Sequence, residues 1–161
     1  MRPKRPPLRG FTLVELLITL AIIGVLAGLV RPAAQVVVQR ERERELQRSL
    51  HEIRQALDAY KRAVDDGRIA KSAGGTGYPV SLEVLVAGVR DLKDPRGGRL
   101  VFLRRLPRDP MLAYDGLADS ADWGRRSYDS DHDQPREGSD VYDVYSRSQR
   151  TGLNGRRYWM W

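Results

Sequence analysis

The chain has 161 residues, no cysteine, a mean hydropathy of −0.51 and a net charge of +7. That length holds one domain with an appendage, and the missing thiol excludes disulfide staples, thiolate metal sites and cysteine nucleophiles. A basic surplus on a small chain points to nucleic acid or an anionic membrane as partner, but only if the charge is evenly spread, and here it is not.

Residues 1–10, MRPKRPPLRG, carry Arg2, Lys4, Arg5 and Arg9 and no acid. Residues 11–30, FTLVELLITLAIIGVLAGLV, hold one charge, Glu15. At ~1.5 Å per residue, a helix of about 20 residues spans a hydrocarbon core of roughly 30 Å. The preceding cations place the N-terminus in the cytoplasm. A secretory signal peptide fits poorly, because its apolar region runs about 7–15 residues and ends at a small-residue cleavage site, whereas here Arg31-Pro32 closes a longer run. A plain signal anchor leaves Glu15 unexplained. An acid costs on the order of 2.5–3.5 kcal/mol at the centre of a spanning helix and less toward its end. Such a residue demands a partner, and a cation near the start of the apolar run would serve.

Gly10-Phe11-Thr12-Leu13-Val14-Glu15-Leu16-Leu17 resembles the processing and methylation motif of type IV pilins and type II secretion pseudopilins. The resemblance implies that a membrane-embedded peptidase cuts between Gly10 and Phe11 and N-methylates Phe11. Glu15 then takes the motif's acid position, and Pro32 falls where many family members kink the helix. The chemistry is coherent. Gly10 has no Cβ to obstruct approach to the backbone, and the cut creates an amine at Phe11 about one helical turn from Glu15. In a filament, the Glu15 of an incoming subunit can pair with the Phe11 amine of a neighbour, so that neither charge stays unpaired in an apolar bundle. Gly24 and Gly28 form a small-xxx-small pair that suits close helix approach, or are ordinary membrane-helix composition.

Beyond residue 30, Leu46, Leu50, Ile53, Leu57, Tyr60 and Val64 recur at spacings of three and four, one face of a helix. Asp65-Asp66-Gly67 closes it, with Gly67 as C-cap. One helix is therefore expected over 11–66. Gln39–Glu45 is charged on every side and reads as a solvated stretch with weak i,i+3 and i,i+4 pairs, or as a surface that mates with neighbouring subunits.

Residues 67–161 are richer in Gly, Pro, Asp and Tyr. Gly74–Pro79 reads as a loop; it lacks the lysine and serine of a phosphate loop. Ser81 is expected to cap a short helix over Leu82–Val89, with Glu83 in its first turn. Leu100–Leu103 is strand or helix end. Pro107 and Pro110 enforce a turn around Arg108-Asp109, residues 111–122 read as a surface insertion, and Arg126–Tyr128 and Val141–Ser146 read as strands. Tyr158, Trp159 and Trp161 make a last strand or a closing aromatic cluster. The expected fold class is α+β, type IV pilin-like: a long N-terminal helix packed on a small antiparallel sheet.

Tyr78-Pro79, Leu103–Pro110, Trp123-Gly124 and Tyr142–Ser146 resemble, in order, the major (G-type) pseudopilin of type II secretion. Two features depart from it. Residues 111–122 separate Asp109-Pro110 from Trp123-Gly124, and the loop Arg147–Gly155, where the family holds a structural calcium, contains no carboxylate. Upstream, Asp129, Asp131 and Asp133 stand at the spacing that opens an EF-hand, with Asp140 further on. Hard oxygen ligands suit calcium, but Gln134 stands where that loop needs Gly. The alternatives are a calcium site on these four aspartates and a solvated acidic turn countered by Arg125, Arg126 and Arg136. His51 and His132 have no partner that suggests catalysis.

The expected organisation is a cleaved leader (1–10), a spanning or filament-core helix (11–30), its periplasmic continuation (31–66) and a head (67–161). The resemblance implies a non-enzymatic inner-membrane subunit that polymerises with itself and other pseudopilins, meets the prepilin peptidase, the inner-membrane secretion platform and membrane lipid, and needs no cofactor beyond a possible calcium. A type IV pilin for adhesion, motility or DNA uptake is the alternative. For DNA uptake, Arg104, Arg105, Arg108, Arg125, Arg126, Arg156 and Arg157 would have to form one phosphate-binding face; no nucleic acid is expected as a partner.

Overall fold

A computed structural model describes residues 10–113, 119–131 and 133–161; within these, the side chains of 28–34 are not described. The leader cations, the surroundings of Gly28, the side chain of Pro32, His132 and the middle of the 111–122 segment therefore lie outside what is described. The chain forms two compact units that meet between Gln39 and Arg40.

Helix α1 runs Leu13–Asp65. Thr12 starts it: its Oγ1 accepts a hydrogen bond from Glu15 N–H at 3.2 Å, and its carbonyl accepts from Leu16 N–H at 3.1 Å. The helix ends as Asp65-Asp66-Gly67 predicts. Arg68 N–H reaches Ala63 O and Gly67 N–H reaches Val64 O, both at 2.9 Å, with Gly67 at φ 68°. Those two bonds satisfy end carbonyls of the helix, and the left-handed φ is one that Gly adopts without a Cβ penalty.

In the first unit, every large apolar side chain from Leu13 to Leu26 is more than half exposed. No described helix stretch is long and apolar enough to cross a membrane; the end of the expected span, residues 28–30, lies among the side chains not described.

In the second unit, the apolar face of α1 is the core. Leu46, Leu50, Ile53 and Leu57 are buried against Leu82, Leu85, Leu103, Leu106, Met111, Trp123, Val141, Val144 and Tyr158. Each such side chain contributes about 1.5–3 kcal/mol by leaving water. Val64 and Ala63 close a smaller cluster over Ile69.

The short helix α2 is Glu83–Ala87, shorter than expected, and Ser81 does not cap it: Leu82 holds the cap position with no side-chain hydrogen bond. The Ser120 and Ser81 hydroxyls bond the Glu83 carboxylate instead and hold it below the usual carboxylate range. Val89 leaves the helix to start β1 (Val89–Arg90), which pairs antiparallel with β2 (Arg99–Leu100). Strand β3 is Trp123–Arg126 and β4 is Asp143–Ser146, in the register Trp123↔Ser146 to Arg126↔Asp143. The expected first strand is thus displaced toward the N-terminus, because beyond Arg126 the Ser127 N–H turns to Arg136 O and the Tyr128 N–H to Asp140. The single expected sheet is two separate two-stranded ladders.

The described ends of the 111–122 segment are not surface: Met111 and Asp122 are buried. Met111 fills the core, and Asp122 is held by Arg108 Nε at 2.9 Å. Tyr158–Met160 is one 3-10 turn, and the Tyr158 and Trp161 rings meet edge-on at 5.2 Å, the closing aromatic cluster.

Candidate processing and assembly site

Gly10 and Phe11 precede α1, both exposed, Phe11 at 77 %. A Cβ placed on Gly10 would meet nothing within 4 Å, so no packing inside this chain requires Gly there. Glu15 lies in the first turn of α1, exposed, with its backbone N–H on Thr12. A carboxylate in that turn also suits the positive end of the helix macrodipole. Thr12 is the site residue that motif reading passes over. The signal was present as Thr12-x-x-Glu15, the spacing of a capping box. Its effect is to fix where the helix begins: Phe11 stays outside the helix and Glu15 sits on its first turn.

The head places the other candidates differently. Asp129, Asp131 and Asp133 are exposed, whereas Asp140 is buried. Asp140 accepts hydrogen bonds from the Thr76 hydroxyl, from Ser127 Oγ at 2.7 Å and from Tyr128 N–H at 3.0 Å. Burial raises its pKa, but the three donors outweigh it and hold the carboxyl below the usual range. No group of three or more acids or histidines among the described residues is gathered for a metal ion. The physical reason is that the Asp140 carboxylate is buried and taken up by those donors, whereas the other three aspartates are exposed.

The seven arginines considered for DNA do not form one free face. Arg108 pairs with Asp119 and Asp122, Arg125 with Glu137, Arg126 with Asp143, and Arg156 donates to Met160 O. His51 is exposed, 2.9 Å from Gln55.

The charged stretch of α1 is mostly solvated and includes the weak pair Arg44–Glu41 at 3.5 Å. Glu43 is the exception. Its Oε1 accepts from Leu153 N–H at 2.8 Å and from the Tyr158 hydroxyl at 2.9 Å. A residue in an all-round charged segment thus ties the helix to the chain's own C-terminal loop, and nothing in the local pattern signals it.

Residues 8–30 match the prokaryotic N-terminal methylation motif. The chain is 34 % identical to type II secretion system core protein G of Klebsiella pneumoniae, over 63 % of this chain and 68 % of that protein. The chain belongs to the type II secretion core protein G family. It is also 31 % identical to core protein G of Dickeya chrysanthemi, over 65 % of this chain and 64 % of that protein, and 30 % identical to that of Aeromonas hydrophila, over 63 % and 66 %. No solved structure matches significantly. These relatives place the chain with the G-type pseudopilins of type II secretion rather than with the pilins of surface pili. The long helix on a small antiparallel α+β head is the pilin-like architecture expected of this pseudopilin.

Proposed function

We propose that this pseudopilin is cut between Gly10 and Phe11 by a prepilin peptidase, N-methylated at Phe11, held in the inner membrane by residues 11–30 with its head in the periplasm, and assembled into the filament that drives protein secretion across the outer membrane. The observation that carries the reading is the match of residues 8–30 to the methylation motif, joined to core protein G relatives that extend over most of the chain. Its physical support is a helix whose apolar side chains are exposed all round, with a single acid one turn in. Such a surface needs lipid or neighbouring helices.

Before assembly, lipid serves. In the filament, the Phe11 amine created by the cut answers the Glu15 carboxylate of the next subunit, and Pro32 belongs to the same assembly segment. The subunit is structural, with other pseudopilins and the inner-membrane secretion platform as partners. On this reading it has no catalytic role and calls for no cofactor; in the acidic turn, Ser130 Oγ accepts from Arg136 N–H at 2.7 Å.

The test is a Glu15→Ala chain expressed with its secretion system. Processing at Gly10 should continue while filament assembly drops by at least tenfold. Assembly at the wild-type rate refutes the pairing, and absence of cleavage after Gly10 in the wild type refutes the reading as a processed pseudopilin.

A further inference from the structure

We infer that the head carries an arginine-lined cleft which receives the acidic turn of a second copy of this chain; the inference rests on the filament reading above and names a contact within it. The cleft has a volume of about 860 Å³ and lies between α1 and the turn around Arg108-Asp109. Arg42, Arg105, Arg108 and Arg150 line it, with Glu45 and Asp119 as the acids on its wall. Arg108 is already committed to Asp119 and Asp122. Arg42, Arg105 and Arg150 are exposed and hold no ion pair among the described residues. Three guanidiniums without an ion pair among the described residues, around one concavity, are a receptor for an anionic group.

The complementary surface is on the same head. Asp129, Asp131 and Asp133 are exposed on a turn that Ser130 pins from within: its Oγ accepts from Arg136 N–H and donates to the Gln134 carbonyl at 3.3 Å. Asp131 Oδ1 accepts only from Asp133 N–H, at 3.4 Å, among the bonds of the described residues, and none of the three is in an ion pair among them.

The positions explain why the partner is a second copy. Glu45 of α1 lines the cleft, whereas Arg54 of α1 shares a groove with Asp133. Residues 45 and 54 are nine apart, about two and a half helical turns, which is opposite sides of the helix. Cleft and turn therefore lie on opposite flanks of α1, too far round to satisfy each other within one head. Each copy can give its turn to one neighbour and its cleft to the next. A contact between two different surfaces that does not close on itself generates an open helical array. Such a contact is salt-sensitive, since exposed charges are screened over about 8 Å at physiological ionic strength.

The chain's lack of cysteine gives a background-free test. Full-length Arg105→Cys/Asp133→Cys chain is assembled with its secretion system and treated with a short bis-maleimide. Cross-linked dimers and higher multiples of the subunit are expected, weakened severalfold by raised salt. In the otherwise wild-type chain, Arg105→Glu/Arg150→Glu should lower filament yield at least tenfold, and adding Asp131→Arg/Asp133→Arg should recover it; circular dichroism checks that each variant folds. Filaments that form normally with no 105–133 cross-link, or charge reversal without effect, overturn this contact and leave the filament reading intact. A cross-link to a different protein also overturns it. A wild-type chain that forms no filament overturns both.

Discussion

Arg54 and Asp143 lie 89 residues apart and meet at 2.7 Å, Nε to Oδ1. The same guanidinium donates to Val144 O at 3.1 Å and Trp161 O at 3.0 Å, and Asp143 also receives Arg126 at 3.1 Å. One fork thus joins the helix, the last strand and the closing aromatic turn. A single ammonium cannot reproduce this planar geometry. Arg54→Lys should lose part of the stability and Arg54→Ala about 1–3 kcal/mol, seen as a lower midpoint in chemical unfolding of the detergent-solubilised chain. Unchanged midpoints for both variants would mean the fork is ornamental.

Asp140 links the Thr76 loop to the end of β3 through three donors. Its pKa is depressed in the folded state, so its contribution is fully present above the ordinary aspartate pKa of about 3.9 and fades as pH falls through the lower folded value. Asp140→Asn keeps an acceptor for Ser127 and Tyr128 but turns an N–H toward Thr76. It should cost about 1–2 kcal/mol at pH 7, with the gap to wild type closing at the acid end of a pH series of unfolding curves.

The apolar face of α1 and its Gly67 cap were legible because a helix writes its buried side at spacings of three and four. So was the processing motif, whose residues are contiguous. The β3 boundary was not legible, since it depends on the Ser127 N–H turning to Arg136 O and the Tyr128 N–H to Asp140, out of the ladder. Nor were the roles of Glu43 and Arg54, whose partners are about 90 or more residues away. A side chain's destination across such a separation is set by tertiary packing, not by its neighbours.

Asp109 behaves oppositely to Asp140. Burial pushes its carboxyl above the usual range, against hydrogen bonds from Ser146 Oγ and Met111 N–H. A folded pKa raised above the unfolded one costs stability as pH rises from the ordinary carboxylate range through the folded value. Asp109→Asn can accept from Met111 N–H and donate to Ser146 Oγ, so it should be neutral to mildly stabilising at pH 7 and flatten the pH profile in that window. Asp109→Ala leaves both donors unanswered and should cost about 1–3 kcal/mol. A loss as large for Asn as for Ala would show that the charge itself is needed.

Calcium supplies a further check. With Asp140 committed to Thr76, Ser127 and Tyr128, the thermal midpoint should be the same in excess EGTA and in millimolar calcium. A midpoint that rises in calcium, and loses that rise in Asp131→Asn/Asp133→Asn, would restore a metal site to the acidic turn, because a ligand that binds only the folded state stabilises it by mass action.

Gly124 faces Tyr145 across the β3–β4 ladder. The Tyr145 ring lies over the glycine so closely that an added Cβ would overlap it. This gives a physical reason for Trp123-Gly124 and Tyr142–Ser146 to occur together: the ring needs the missing side chain opposite. Gly124→Ala forces the ring or the strand aside and should cost about 1–3 kcal/mol, the usual range for overpacking. Tyr145→Ser, which removes the ring, should lose less, and the pair Gly124→Ala/Tyr145→Ser should be more stable than the two single effects predict. A double-mutant cycle measures that coupling directly. Additivity within about 0.5 kcal/mol would mean that the glycine is required by the β3 backbone itself and not by the ring across from it.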